Sequence, residues 1–207
     1  MKITYIDIGL HKDGFEIDMF QLAALGHDVT MYGIEAHPEY IEQLKENHPQ
    51  AKILNYAINN TERLLPLYLS ESSDGHGNSI FPDKNNVTTD FVKVQGVKLS
   101  TLIERKEIVL SDFNVLRYNI EGAEWHLLND LIESELWNKF NILSGARSDM
   151  HKVTHLKDLK WQYQTLVLGS GKWVDFWYHP QQQKRNKKMI EKMKSRINER
   201  IDIPSNS

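Results

Sequence analysis

Cysteine is absent from the 207-residue chain. A disulfide scaffold, a zinc–thiolate site and a thiol nucleophile are therefore excluded. Long apolar runs are also lacking, since no window approaches the roughly 20 apolar residues that a membrane helix needs. The short apolar run at the N-terminus is too brief for the core of a signal peptide. From these absences we expect a cytoplasmic protein without a membrane span.

A strong net charge is missing as well. The formal charge of −3 gives no global field that would attract nucleic acid, so we predict no nucleic-acid partner. Hydrophobic residues make up 40% and charged residues 26% of the chain, which is typical of a soluble protein with one core. We predict one domain over residues 1–180, followed by a basic amphipathic helix or tail over 181–207.

Apolar runs of strand type alternate with helical spacing in the first third of the chain. The predicted order is strand Ile3–Ile8, helix Phe15–Leu25, strand Val29–Glu35, helix Pro38–Asn47 and strand Ile53–Ile58. This β-α-β-α-β order indicates a parallel sheet with helices on both faces.

The later elements are predicted on the same grounds. They are antiparallel strands Leu65–Ser70 and Phe91–Val94, a short helix with a capping box at Thr101 and Glu104, strand Phe113–Ile120, helix Ala123–Ser134 and strand Ile142–Ala146. The turn-forming run Gly169–Lys172 then separates Tyr163–Leu168 from Trp173–Tyr178, which predicts a β-hairpin.

The tail is dense in lysine and arginine from Lys184 to Arg200. Met189, Met193 and Ile197 follow one another at four-residue spacing and form an apolar stripe. We expect a solvated helix that packs this stripe on the domain or on a partner and is dispensable for folding. Contact of the basic run with a membrane or nucleic acid is the weaker alternative.

Two candidate binding elements follow the first two strands. Asp7-Ile8-Gly9 opens the loop Leu10–Gly14, and ligands of open α/β sheets lie at the carboxyl ends of the strands. The loop does not meet the G-x-G-x-x-G pattern that cradles a pyrophosphate. Glu35 ends the second strand about 20 residues further on, the spacing at which an acid meets ribose hydroxyls. A plain turn and a solvated acid are the alternatives.

Further candidates lie in the second half of the chain. Asn119, Glu121 and Glu124 follow the strand that should neighbour the first, where the glutamates either serve chemistry or merely cap a helix. His151 belongs to the run Arg147–His151 after the next strand and has four-residue spacing to His155. A metal pair lacks a clear third ligand, so we predict no metal site.

Taken together, these segments resemble the FkbM-type methyltransferases. The matching stretches are Tyr5–Gly9, Tyr32–Tyr40 with Leu44 and Asn47, Asn55–Asn59, Gly77–Ser79, Val97–Leu102 and Arg117–Glu124. The run Ile120–Glu124 is the most specific of them. The family usually has small residues and a second glycine where this chain has Leu10, His11 and Lys12, and aspartate where it has Asn119.

The resemblance implies a Rossmann-like class I methyltransferase with a mostly parallel seven-stranded sheet that ends in an antiparallel hairpin. It also implies S-adenosyl-L-methionine as cofactor and methyl transfer to an oxygen of a sugar, glycan or other small polar acceptor. We predict a cofactor site formed by Asp7, Gly9, His11, Glu35, Ala36, Ala57 and Asn119. Glu121, Glu124 and His151 are the candidates for the catalytic base, with Glu121 ahead of the other two.

Two other functions remain open from the sequence. A non-catalytic binding module that keeps the fold would explain the departures in the first loop. An oxidoreductase on a related sheet is disfavoured by the missing glycine pattern. The sequence specifies neither the acceptor nor the oligomeric state.

Overall fold

A computed structural model describes residues 1–72, 76–146, 149–178 and 181–201, without the side chains of residues 200 and 201. Within these ranges the main sheet has five parallel strands in the order β3-β2-β1-β7-β8. The strands are β1 (Lys2–Ile8), β2 (Asp28–Glu35), β3 (Ala51–Asn55), β7 (Phe113–Tyr118) and β8 (Ile142–Gly145). The chain builds β1 to β3 on one side and returns to place β7 on the other side of β1. The sheet therefore has a topological switch point beside β1.

A smaller sheet interrupts the α/β alternation. Its strands are β4 (Ala57–Ile58), β5 (Leu64–Ser70) and β6 (Val87–Val97), with β6 in the centre, parallel to β4 and antiparallel to β5. The antiparallel pair predicted from the sequence is thus confirmed. The single strand predicted over Ile53–Ile58 is instead divided at Tyr56 between the two sheets.

Helices cover both faces of the main sheet, as predicted. They are α1 (Phe15–Ala23), α2 (Ile41–Asn47), α3 (Leu99–Glu104), α4 (Glu124–Glu133), α5 (Lys160–Gly169) and α6 (Gln183–Ile201). Apolar residues of α1, α2 and α6 share one core cluster, and those of α3, α4 and α5 share another. Three-residue to four-residue 3₁₀ turns lie at Pro38–Tyr40, Leu136–Lys139, Met150–Lys152 and Lys157–Leu159.

The predictions of a seven-stranded sheet and of a terminal hairpin are wrong for the described residues. Tyr163–Leu168 lies within α5, where Tyr163 and Val167 are one helical turn apart and both face the core. Aromatic and β-branched composition favoured a strand, but burial of one helical face decides the structure. In the second predicted hairpin strand, Trp173 forms an isolated parallel bridge to Leu143 of β8.

The capping box is also wrong. Helix α3 begins at Leu99, so Thr101 lies inside the helix. Its hydroxyl donates to the Glu62 carboxylate at 2.7 Å instead of capping a backbone amide.

The basic tail is a helix, as expected. Met189, Met193 and Ile197 are buried in the same cluster as the apolar residues of α1, with Met193 and Ile197 fully inaccessible. Such burial argues against the expectation that the tail is dispensable for folding. The division of the chain at residue 180 stays a prediction, and residues 202–207 lie outside the described ranges. No helix of the described residues is long and apolar enough to cross a membrane.

Candidate cofactor and acceptor site

A cleft with an empty volume of about 700 Å³ lies at the carboxyl ends of β1, β2 and β7. The switch point of the sheet creates this opening, because the loops after β1 and β7 leave in opposite directions. Seven of the ten predicted site residues line it: Gly9, His11, Glu35, Ala36, Ala57 and Asn119 of the predicted cofactor site, and Glu121 of the candidate bases.

Gly9 joins the two lips of the cleft. Its backbone has φ of +81°, and a Cβ at this position would collide with the carbonyl oxygen of Asn119. The amide of Gly9 donates to Ile34 O at 2.8 Å, and the amide of Asn119 donates to Ile8 O at 2.8 Å. Only glycine permits this left-handed turn together with so close a backbone approach.

The bulky residues of the first loop are accommodated without closing the cleft. Leu10 is buried and turns towards Gly33, where a Cβ would meet its side chain. His11 takes a left-handed φ of +56°, and its ring lies 3.8 Å from the ring of His76 across the cleft. The bulky residues of this loop therefore change the lining of the cleft, but the cleft remains open.

Glu35 is buried at the end of β2, and backbone amides hold its carboxylate. Oε2 accepts from the amide of His11 and Oε1 from the amide of His37, both at 2.8 Å. Burial raises the pKa of Glu35, while the amide donors act in the opposite direction. The side chain therefore couples the loop after β1 to the turn after β2.

Asn55, at the end of β3, fixes the neighbouring backbone. Its amide nitrogen donates to the carbonyl oxygens of Glu35 and Ala36 at 2.9 and 3.0 Å. Tyr40 and Tyr56 add aromatic rings to the cleft wall. These tyrosines are not among the predicted site residues, because an aromatic residue after a strand is more often part of a core.

Asp7 does not line the cleft. Its carboxylate is fully buried beneath the loop, where it accepts from Arg117 Nη1 and from the hydroxyl of Tyr5, each at 2.9 Å. Burial raises the pKa of Asp7 to about 6 against the opposing effect of Arg117. Arg117 also donates to Gly9 O at 3.1 Å, so Asp7 orients the first loop through the guanidinium.

Arg117 and Glu16 are buried partners that the sequence analysis missed. Arg117 Nη2 donates to Glu16 Oε1 at 2.8 Å, which completes an acid–guanidinium–acid chain from β1 through β7 to α1. A signal for the first pair existed, because Asp7 and Arg117 are charged residues inside buried strands and lie opposite one another in the parallel register.

Glu121 lines the opposite side of the cleft, and side chains hold it in place. Its backbone has φ of +52°, and its carbonyl accepts from the hydroxyl of Ser79 at 2.8 Å. Its Oε2 lies 3.2 Å from Lys84 Nζ and 3.8 Å from Lys152 Nζ. A strained backbone and two ammonium groups thus place this carboxylate at the cleft.

Lys84 is the partner that no sequence pattern indicated. Its side chain is only 3% exposed, and its ammonium donates to Gly77 O at 2.8 Å as well as facing Glu121. A buried lysine without such partners would be costly. The pair ties the loop after β5 to the loop after β7, although 37 positions separate the two residues in the chain.

A second groove of similar volume continues from the cleft on this side. It shares His76, Gly77 and Glu121 with the cleft. The other lining residues are polar or charged: Ser70, Glu71, Ser72, Lys84, Asn86 and Lys152. These side chains offer hydrogen-bond donors and acceptors to a polyhydroxylated ligand.

Glu124 and His151 do not line the cleft. Both oxygens of the buried Glu124 carboxylate accept backbone amides, from Ile120 at 3.2 Å and Gly122 at 2.9 Å. Burial raises the pKa of Glu124 to about 8, and the nearby Asp149 and Glu121 act in the same direction. His151 is exposed in the 3₁₀ turn Met150–Lys152. Of the three candidate bases, Glu121 is the one whose residue lines the cleft.

The suggested histidine pair does not form on one helix face. The 3₁₀ turn of His151 ends at Lys152, and His155 Nδ1 lies 2.7 Å from Asp83 Oδ2. The described residues contain no group of three or more side chains suited to hold a metal ion. Arg147 and Ser148 of the same predicted run lie outside the described residues.

A five-stranded parallel sheet with a cleft at its switch point and a buried acid at the end of β2 defines a Rossmann-like fold consistent with the methyltransferases. The sequence profile of the methyltransferase FkbM domain matches residues 7–153. The chain therefore belongs to the FkbM methyltransferase family. Comparison with curated proteins and with solved structures gives no match.

Proposed function

We propose that the chain transfers the methyl group of S-adenosylmethionine to a hydroxyl oxygen of a sugar or another small polar acceptor. The observation that carries the proposal is the geometry of Glu35, whose two oxygens each accept one backbone amide at the cleft. Each carboxylate oxygen has a second lone pair. Glu35 can therefore accept hydrogen bonds from two vicinal hydroxyls, as a ribose presents them.

The other residues of this half of the cleft fit an adenosine. Tyr40, Ala57 and Leu67 offer apolar surface to a base on the same side as Glu35. The first loop has no run of glycines for a pyrophosphate, and S-adenosylmethionine carries none. When bound, this cofactor supplies a methyl group already activated by a sulfonium. The protein then has to align the acceptor and manage one proton.

The polar groove supports the acceptor class, and Glu121 supports the proton transfer. Glu121 lies at the junction of the cleft and the groove, where its carboxylate can accept the hydrogen bond of an acceptor hydroxyl. Taking that proton as methyl transfer proceeds would make it the general base. Lys84 and Lys152 hold the carboxylate in place. Glu124 is assigned to the loop, because it does not line the cleft and its carboxylate accepts the amides of Ile120 and Gly122.

Methyl-labelled S-adenosylmethionine incubated with pools of sugars and glycans tests the proposal. We expect label in a sugar product and formation of S-adenosylhomocysteine. On the identified acceptor, Glu121→Gln should be slower by about 100-fold, whereas Glu133→Gln on the exposed face of α4 should match the wild type. A wild-type rate for Glu121→Gln would contradict the base role. Cofactor binding without any turnover would identify a non-catalytic binding module.

A further inference from the structure

Charge is segregated within the chain. Helix α6 carries eight lysines and arginines against two glutamates, a net charge of +6. Because the whole chain has a net charge of −3, the remaining residues together carry −9. The cation excess is thus concentrated on a single helix of an otherwise acidic protein, a pattern typical of contact with an anionic surface.

The cations of α6 point outwards. Five lysines of the helix are exposed: Lys184, Lys187, Lys188, Lys192 and Lys194. Within the described residues none of the five lies at ion-pair distance from a carboxylate, whereas Arg196 pairs with Glu199 at 3.3 Å. Packing of Met189, Met193 and Ile197 on the core fixes the helix, so these lysines are held on one rigid surface.

Exposed apolar side chains lie on the helix that packs against α6. On α1, Phe15 is 40% and Leu22 52% exposed, and Leu25 just beyond the helix is 65% exposed. Phe15 and Leu22 lie seven positions apart and therefore on one side of α1. The ring of Phe15 lies 4.2 Å from the ring of Tyr178, which precedes α6 in the chain. Because α1 packs against α6, these exposed apolar side chains and the exposed lysines belong to neighbouring helices.

We propose that this basic face, formed by the five exposed lysines of α6 with Phe15, Leu22 and Leu25, docks the protein onto an anionic lipid membrane. Lysines are attracted by acidic headgroups, and exposed leucine and phenylalanine side chains enter the headgroup boundary. A nucleic acid would gain less from this face, because α6 has no aromatic ring on which a base could stack, Phe15 is the single aromatic side chain of the face, and Leu22 and Leu25 would stay exposed to water. The protein then lies on the membrane without crossing it.

Sedimentation of the full chain with vesicles tests the docking. We expect binding to vesicles of phosphatidylcholine with about one-third phosphatidylserine at low salt, weaker binding at about 0.5 M salt, and little binding to phosphatidylcholine alone. Replacing Lys187, Lys188, Lys192 and Lys194 by glutamine should lower the affinity by at least about tenfold. Leu22→Ser together with Leu25→Ser should lower it further.

The matched control removes the same charge elsewhere. Exposed Lys45, Lys93, Lys139 and Lys157, each replaced by glutamine, should leave vesicle binding unchanged. Equal loss in both quadruple variants would overturn the proposal, since total charge would then explain the binding. Absence of vesicle binding by the wild type would also overturn it. So would wild-type vesicle binding by the α6 variant, or tighter binding of a 20-nucleotide single strand than of the acidic vesicles.

Discussion

The two halves of the cleft are built by different means. On the side of β1 and β2, backbone amides hold Glu35, and glycine allows the loop to approach its neighbour. On the side of β7, lysine side chains from distant loops hold Glu121. The contacts of Glu35 itself are backbone hydrogen bonds at adjacent strand ends, whereas those of Glu121 are ion pairs with lysine side chains. Charge changes at the two lysines should therefore alter the proposed acceptor half and leave the proposed cofactor half, which the buried Arg117 supports from below, unchanged.

The largest expected effect is the loss of stability on replacing Arg117, which lies beneath the proposed cofactor half. Arg117→Met leaves the buried Asp7 and Glu16 without their cation, which should reduce the free energy of unfolding by about 3–5 kcal/mol. Urea denaturation measures the change. Arg105→Met is the matched control, because its pair with Glu62 is exposed and should cost less than about 1 kcal/mol. Equal losses of stability in the two variants would mean that the buried ion pairs of Arg117 do not stabilise the loop after β1.

The next effect concerns binding at β2. Glu35→Gln places an amide NH₂ opposite one of the two backbone N–H donors, where it cannot accept a hydrogen bond. The free energy of binding S-adenosylhomocysteine should therefore become less favourable by about 1–3 kcal/mol. Calorimetry on both proteins measures the difference. Glu42→Gln on the exposed face of α2 should bind as the wild type does. Unchanged affinity in Glu35→Gln would place the ribose elsewhere.

Another effect should appear with pH on the β7 side. The pKa of Glu124 in the folded protein is raised to about 8, above its value in an unfolded chain, so the protonated form is favoured by folding. This contribution is complete below about pH 4 and is lost as the pH rises through 8. Relative to Glu124→Gln, whose side chain does not titrate, stability should fall by about 4 kcal/mol between pH 5 and pH 9. If the stability of both proteins changed equally with pH, the raised pKa of Glu124 would be contradicted.

The smallest effect separates the two halves most sharply. Lys84→Met removes the nearer cation of Glu121 without touching the residues around Glu35. We expect S-adenosylhomocysteine affinity within about 0.5 kcal/mol of the wild type, together with slower methyl transfer to the acceptor. A loss of cofactor affinity as large as that of Glu35→Gln would show that the two halves are not independent.

Local patterns in the sequence predicted the positions of the loop after β1 and of the acid that ends β2. The loop after β1 and the acid that ends β2 are set by strand order, and a strand-end position can be located from the apolar run before it. The ion pairs around Glu121 could not be predicted from local patterns. Nothing near Lys84 in the sequence indicates that β5 and β6 fold back to bring it to Glu121, since that contact depends on tertiary packing.

The errors have a common physical cause. Tyr163–Leu168 has strand-like composition, yet it folds as part of α5 because one helical face covers the core. Glu124 follows the strand in the position of a catalytic acid, yet it satisfies two loop amides. In both cases the local pattern was identified correctly, but packing and hydrogen bonding chose between the alternatives that it allowed.

Calorimetric titration of the purified chain with S-adenosylhomocysteine, with NADH as the comparison ligand, tests the central claim most directly. A cleft built around Glu35 without a phosphate cradle predicts saturable binding of one S-adenosylhomocysteine per chain and no heat from NADH. Absence of heat with S-adenosylhomocysteine at millimolar concentration, or saturable binding of NADH in its place, would contradict the account.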